Sequence, residues 1–219
     1  MSRKILMVVT NHTEFSQKKQ TGIWLSEFAE AYIEFTNKGY TVTVASPLGG
    51  KSTVDPGSVD ENTPQEFLDT EKHLENTLKL DDVSHEDFDA IFLPGGHGTM
   101  FDLPDNQKLQ ELLRNFYEED KIIAAVCHGP AGLVGATLSN GQPLVAGKRV
   151  NAFTDREEVE TGLDQSVPFL LETKFRELGA IFVAAPNWTT HYEIDGNLIT
   201  GQNPQSTVAV TKAVIEKLG

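Results

Sequence analysis

Short, nearly continuous apolar runs recur along the chain. The clearest are at residues 4–10 (KILMVVT) and 122–126 (IIAAV), with further strand-like segments at 41–46, 88–93, 149–153, 181–184 and 198–201. Runs of that length, apolar on successive residues, suit strands buried on both faces. Between them stand segments with helical spacing. Residues 22–35 place Trp24, Phe28, Ala31, Tyr32 and Phe35 on one stripe, with Gly39 as the stop; 106–117, 168–178 and 204–218 behave likewise. Strand and helix in alternation predict an α/β fold, a mostly parallel sheet with helices on both faces. Chemistry in such a sheet gathers at the carboxyl ends of the strands. Three loops qualify, those after Val9, Leu93 and Val126. Residues 49–82 break the rhythm: they are polar and acidic, contain Pro56 and Pro64, and read as an insertion within a single domain spanning 1–219.

Charge narrows the partners. A net charge of −14 repels nucleic-acid phosphates and anionic lipid, so neither is expected. The run near the N-terminus is too short for a signal-peptide core or a membrane span, and a cytoplasmic location is expected. One cysteine, Cys127, excludes an internal disulfide and would stay reduced there.

That cysteine sits in Ala124-Ala125-Val126-Cys127-His128-Gly129-Pro130, where a buried strand runs into Cys, then Gly, with a helix expected beyond. This is the layout of a nucleophile elbow with Cys in place of Ser. A sharp turn would expose the thiol, and a following helix N-terminus would lower its pKa. A buried, inert cysteine is the plainer alternative. His128 is placed to act as base or imidazolium partner, provided the elbow is distorted enough to bring neighbouring side chains together. After the 88–93 strand comes Gly95-Gly96-His97-Gly98-Thr99. The amides of Gly96 and His128 could form an oxyanion hole, although a plain turn explains the glycines too. Glu27 lies beside an apolar helix stripe, either solvated at its edge or buried with a raised pKa. Asp155, Glu157 and Glu158 follow the 149–153 strand, and any one could orient a catalytic histidine. His12, His73, His85, His97 and His191 show no metal-ligand spacing, and no metal or cofactor is expected.

These segments together resemble the ThiJ/PfpI superfamily, and within it the chaperone and glyoxalase III branch. The matching stretches are 21–27 (TGIWLSE), 96–102 (GHGTMFD), 124–130 (AAVCHGP), 153–155 (FTD) and 198–204 (LITGQNP), in order and across nearly the whole chain. The resemblance implies a class I glutamine-amidotransferase-like (flavodoxin-like) fold. It implies Cys127 as nucleophile, His128 as triad histidine, Glu158 as triad acid with Glu157 as its near alternative, and Glu27 hydrogen-bonded to the thiol. The Gly96 and His128 amides would hold the oxyanion. The implied activity is a glutathione-independent glyoxalase (D-lactate dehydratase type), converting methylglyoxal and water to lactate through a Cys127 hemithioacetal. Either Glu27 or His128 would move the carbon-bound proton. A small 2-oxoaldehyde substrate and a homodimer follow from the same resemblance. A deglycase or peptidase using the same Cys-His site, a holding chaperone and a cysteine redox sensor are the competing readings.

Overall fold

The computed structural model describes residues 2–15 and 19–219. Its strands are β1 (Lys4–Val8), β2 (Thr41–Ser46), β3 (Leu78–Lys79), β4 (Ala90–Leu93), β5 (Ile122–Val126), β6 (Arg149–Val150), β7 (Ile181–Phe182), β8 (Tyr192–Asp195) and β9 (Leu198–Gly201). Seven of them form one sheet in the order β3-β2-β1-β4-β5-β9-β8. Every pair in it is parallel except β8–β9, a hairpin edge.

Alternate residues of the central strands feed two separate cores, as runs buried on both faces require. Leu6 and Val8, Ile91 and Leu93, and Ile123 and Ala125 face one side. Their neighbours Ile5 and Met7, Ala90 and Phe92, and Ile122, Ala124 and Val126 face the other. Helices α1 (Leu25–Asn37) and α7 (Thr207–Leu218) cover the second face through Phe28, Phe35, Val210 and Val214. The first face is covered by α4 (Gln107–Glu118), with Leu109, Leu112, Leu113 and Phe116 turned inward, and by Phe175 of α6 (Leu171–Glu177). Each such side chain contributes about 1.5–3 kcal/mol by leaving water. The remaining helices are short: α2 (Gln65–Leu68), α3 (Thr99–Asp102) and α5 (Asp155–Thr161).

Several elements depart from the sequence-based expectations, each for a local reason. Helix α1 begins at Leu25 rather than near residue 22 because Ile23 is drawn into a parallel bridge with Val54. The polar 49–82 segment is therefore stitched to the start of α1, and it also supplies the edge strand β3. The expected strand at 149–153 stops after Val150, and it pairs with β7 outside the main sheet. Beyond it, the Asn151 amide donates to Thr200 Oγ1 and the Phe153 amide to the Cys127 carbonyl, so these residues leave strand geometry to reach the elbow. The acidic stretch after Phe153 is the helix α5, started by a capping box between Thr154 and Glu157. No helix among the described residues is long and apolar enough to cross a membrane.

Close approach of two loops holds the carboxyl edge of the sheet together. A Cβ added to Gly129 would lie 2.0 Å from the Leu93 carbonyl oxygen. Backbone cannot yield that distance without moving β4 against β5. Gly129→Ala should therefore destabilise the fold by about 3 kcal/mol, at the upper end for an overpacked site. Urea unfolding checks this, and a midpoint unchanged from wild type would contradict it.

Candidate active site

Cys127 follows β5 directly and has φ +60, a left-handed conformation that a side chain with a Cβ rarely adopts. Two backbone hydrogen bonds hold it there, from the Cys127 amide to the Gly201 carbonyl (3.0 Å) and from the Phe153 amide to the Cys127 carbonyl (2.9 Å). This turn brings two consecutive side chains together: Cys127 Sγ lies 3.3 Å from His128 Nδ1. The other ring nitrogen, His128 Nε2, meets Glu158 Oε2 at 2.6 Å. Cysteine, imidazole and carboxylate thus form a continuous relay.

The pitch of α5 sends its successive residues Glu157 and Glu158 to different partners. Glu157, fully buried, accepts hydrogen bonds from the Thr154 amide and hydroxyl, the Trp188 amide, Gln202 Nε2 and Asn203 Nδ2. It fastens α5 to the turns at 186–189 and 202–203. Glu158 points the opposite way, into the relay. Asp155 caps the neighbouring helix region through Thr173 and takes no part.

His97 is brought into the same cluster, which spacing did not suggest. Its Nε2 meets Glu158 Oε1 at 2.6 Å, and its ring centroid is 4.0 Å from that of His128. The signal available in the sequence was its place in Gly95-Gly96-His97-Gly98 at the end of a central strand. The other four histidines lie elsewhere, half-buried: His12 stacks on Phe101, His73 on Tyr32, His85 pairs with Glu119 and His191 sits by Glu193. The donor atoms of His97, His128 and Glu158 lie within 4.8 Å of one another, a set a divalent ion could use. Both nitrogen–oxygen contacts are hydrogen bonds of 2.6 Å, and an ion would have to break both.

Glu27 is fully buried, not solvated. Its Oε2 accepts from the Gly95 amide at 2.7 Å, while Oε1 has no hydrogen-bond partner among the described residues. Burial raises its pKa to about 8, with the Gly95 amide and the Cys127 thiol working against that rise. The thiol was expected to be exposed and of low pKa. It is 3% exposed, and the helix beyond it is only a five-residue 3₁₀ turn at 129–133, too short for an appreciable dipole. Burial first, then the Glu27 carboxyl, push the thiol well above its ordinary range. The Glu27–Cys127 pair therefore keeps its protons at neutral pH. Burial and the neighbouring His97 lower the pKa of His128, against the pull of Glu158, so His128 stands neutral and able to accept a proton. Burial alone would raise Glu158, but the charges and hydrogen bonds of His128 and His97 outweigh it and hold this carboxyl well below the usual range.

The Gly96 amide has no acceptor among the described residues, the His128 amide is turned to the Cys127 thiol, and one hydroxyl ties their loops together. Thr99 Oγ1 lies 2.8 Å from the Gly96 carbonyl and 2.9 Å from that of His128. Phe153 lies over His128 with centroids 4.3 Å apart, and Trp188 and Phe15 extend this aromatic wall.

An elbow cysteine backed by imidazole and carboxylate thus stands at the carboxyl edge of a mostly parallel α/β sheet. The chain belongs to the DJ-1/PfpI family, whose pattern matches residues 20–217. It is 30% identical to Glyoxalase 3 of Candida albicans over 97% of each chain. The crystal structure of glyoxalase III from Candida albicans superposes with a TM-score of 0.88 at 29% identity, covering 98% of this chain and 96% of that one. The Rapid Encystment Protein 24 kDa of Francisella tularensis superposes with a TM-score of 0.93 at 33% identity, over 99% of both.

A carboxyl whose folded-state pKa is raised remains protonated in the fold after the unfolded chain has ionised. Stability is therefore lost as pH rises from its ordinary 4.5 towards about 8, by up to about 1.4 kcal/mol per pH unit. Glu27→Gln has no such proton. The stability of Glu27→Gln relative to wild type should climb between about pH 5 and pH 8 and level off above. Denaturant unfolding at several pH values checks this, and a difference independent of pH would contradict it.

Proposed function

We propose that this chain is a glutathione-independent glyoxalase that converts methylglyoxal and water to lactate, using Cys127 as nucleophile. The carrying observation is the Cys127–His128–Glu158 relay, closed from solvent, with the protonated carboxyl of Glu27 against the thiol. The names of the relatives support the same reading.

The chemistry follows from the positions. As Sγ approaches the aldehyde carbon C1, its proton passes to His128 Nδ1, and Glu158 steadies the imidazolium so formed. The oxygen on C1 develops charge against the amides of Gly96 and His128 and then takes the proton from His128, giving a neutral hemithioacetal. A proton moves from C1 to C2 through an enediol, and Glu27, which keeps its proton at neutral pH, serves the substrate oxygens as acid. Water then cleaves the resulting lactoyl thioester and frees the thiol. Because the thiol and both rings are almost wholly enclosed, a three-carbon oxoaldehyde suits the site, whereas a peptidase needs an open groove. Chaperone and redox-sensor readings make no use of the His128–Glu158 link. The same reading extends to a single-domain protein acting in the cytoplasm as a homodimer, with no cofactor and no nucleic-acid or membrane partner.

Lactate formation from methylglyoxal without added glutathione tests this. Wild type should turn over, Cys127→Ala should not, and Glu27→Gln should be slower by about a hundredfold or more. A fully active Cys127→Ala protein would remove the nucleophile from the scheme, and an inactive wild type would remove the glyoxalase reading.

A further inference from the structure

His97 has no part in the steps above, although it shares the acid of the relay. Glu158, held ionised, can only accept hydrogen bonds, so both imidazoles must donate to it from Nε2. A neutral imidazole that donates from Nε2 keeps its lone pair on Nδ1. That of His128 faces the thiol at 3.3 Å. That of His97 has no hydrogen-bond partner among the described residues, in a side chain almost wholly buried beside the thiol's own histidine.

Isomerisation of the hemithioacetal needs two proton exchangers, one working between the substrate's oxygens and one between its carbons. Glu27 enters as a proton donor and suits the oxygens. His128 turns its lone pair to the sulfur and handles the thiol proton. We propose that His97 Nδ1 is the base that carries the proton from C1 to C2. As it takes the C1 hydrogen, the C–H electron pair becomes the C1=C2 bond, and the C2 oxygen takes the proton of Glu27. The imidazolium of His97 then returns its proton to C2, the hydroxyl on C1 passes its proton to the Glu27 carboxylate, and the C1 carbonyl forms. Atoms and charge balance, no oxidant or reductant is consumed, and Glu158 offsets the positive charge while His97 holds it.

This inference rests on the glyoxalase reading, and the test separates the two. His97→Gln keeps an N–H donor for Glu158 but has no basic nitrogen; His97→Asn is a second such variant should the first not fold. Two rates are measured, lactate formation from methylglyoxal and alkylation of Cys127 by iodoacetamide, which reports thiol activation by His128 and Glu158. Lactate formation should fall by about a hundredfold or more, with alkylation close to wild type. Turnover near wild type would overturn the role of His97. So would alkylation falling in step with turnover, since His97 would then act only through His128. A wild-type protein that alkylates but makes no lactate would sink the glyoxalase reading, and this inference with it.

Discussion

Everything at the carboxyl edge of this sheet converges on one buried carboxylate. Glu158 is 3% exposed and accepts from both His97 and His128 at 2.6 Å, with the Thr161 hydroxyl 3.2 Å from the same Oε1. An ionised carboxyl buried alone would cost several kcal/mol; paired donors in a dry setting offset that cost and make each hydrogen bond strong. The arrangement is directional as well. With Nε2 directed at Glu158, the other nitrogen of His128 is left to face the thiol at 3.3 Å.

The rest of the fold supplies the rigidity this needs. Glu157 anchors α5 from its opposite side, so the pitch of one short helix decides which acid reaches the histidines. The left-handed turn at Cys127 is pinned by β9 and by Phe153, and the 94–98 loop closes on it through glycines that leave no room for a Cβ. A Cβ on Gly95 would lie 2.7 Å from both Glu27 Oε2 and the His128 amide nitrogen. Sequence, backbone strain and site geometry are therefore one problem here: a residue larger than glycine would move the His128 amide and the Glu27 carboxyl together.

Much of this was legible in the chain. Buried strands announced themselves by continuous apolar runs, and Cys127, His128 and Gly96 by their position at strand ends. Glu27 and Glu158 could be chosen only by resemblance, because burial and helix phase are not written in local spacing. The Thr-x-x-Glu pattern at 154–157 carries the start of α5, although the run of acids around it has no apolar periodicity to mark a helix. His97 escaped because its partner lies 61 residues further along. The expectation of an exposed, acidic thiol failed because exposure depends on the aromatic wall and loops packed around the elbow, which no single segment encodes.

The tautomers of His97 and His128 test the shared-carboxylate account most directly. Long-range ¹H–¹⁵N correlation spectra of the protein at neutral pH distinguish protonated from unprotonated ring nitrogens. Both rings should carry a proton on Nε2, directed at Glu158, and His128 should be neutral with a bare Nδ1. Either ring found without a proton on Nε2, or His128 charged at rest, would contradict the account.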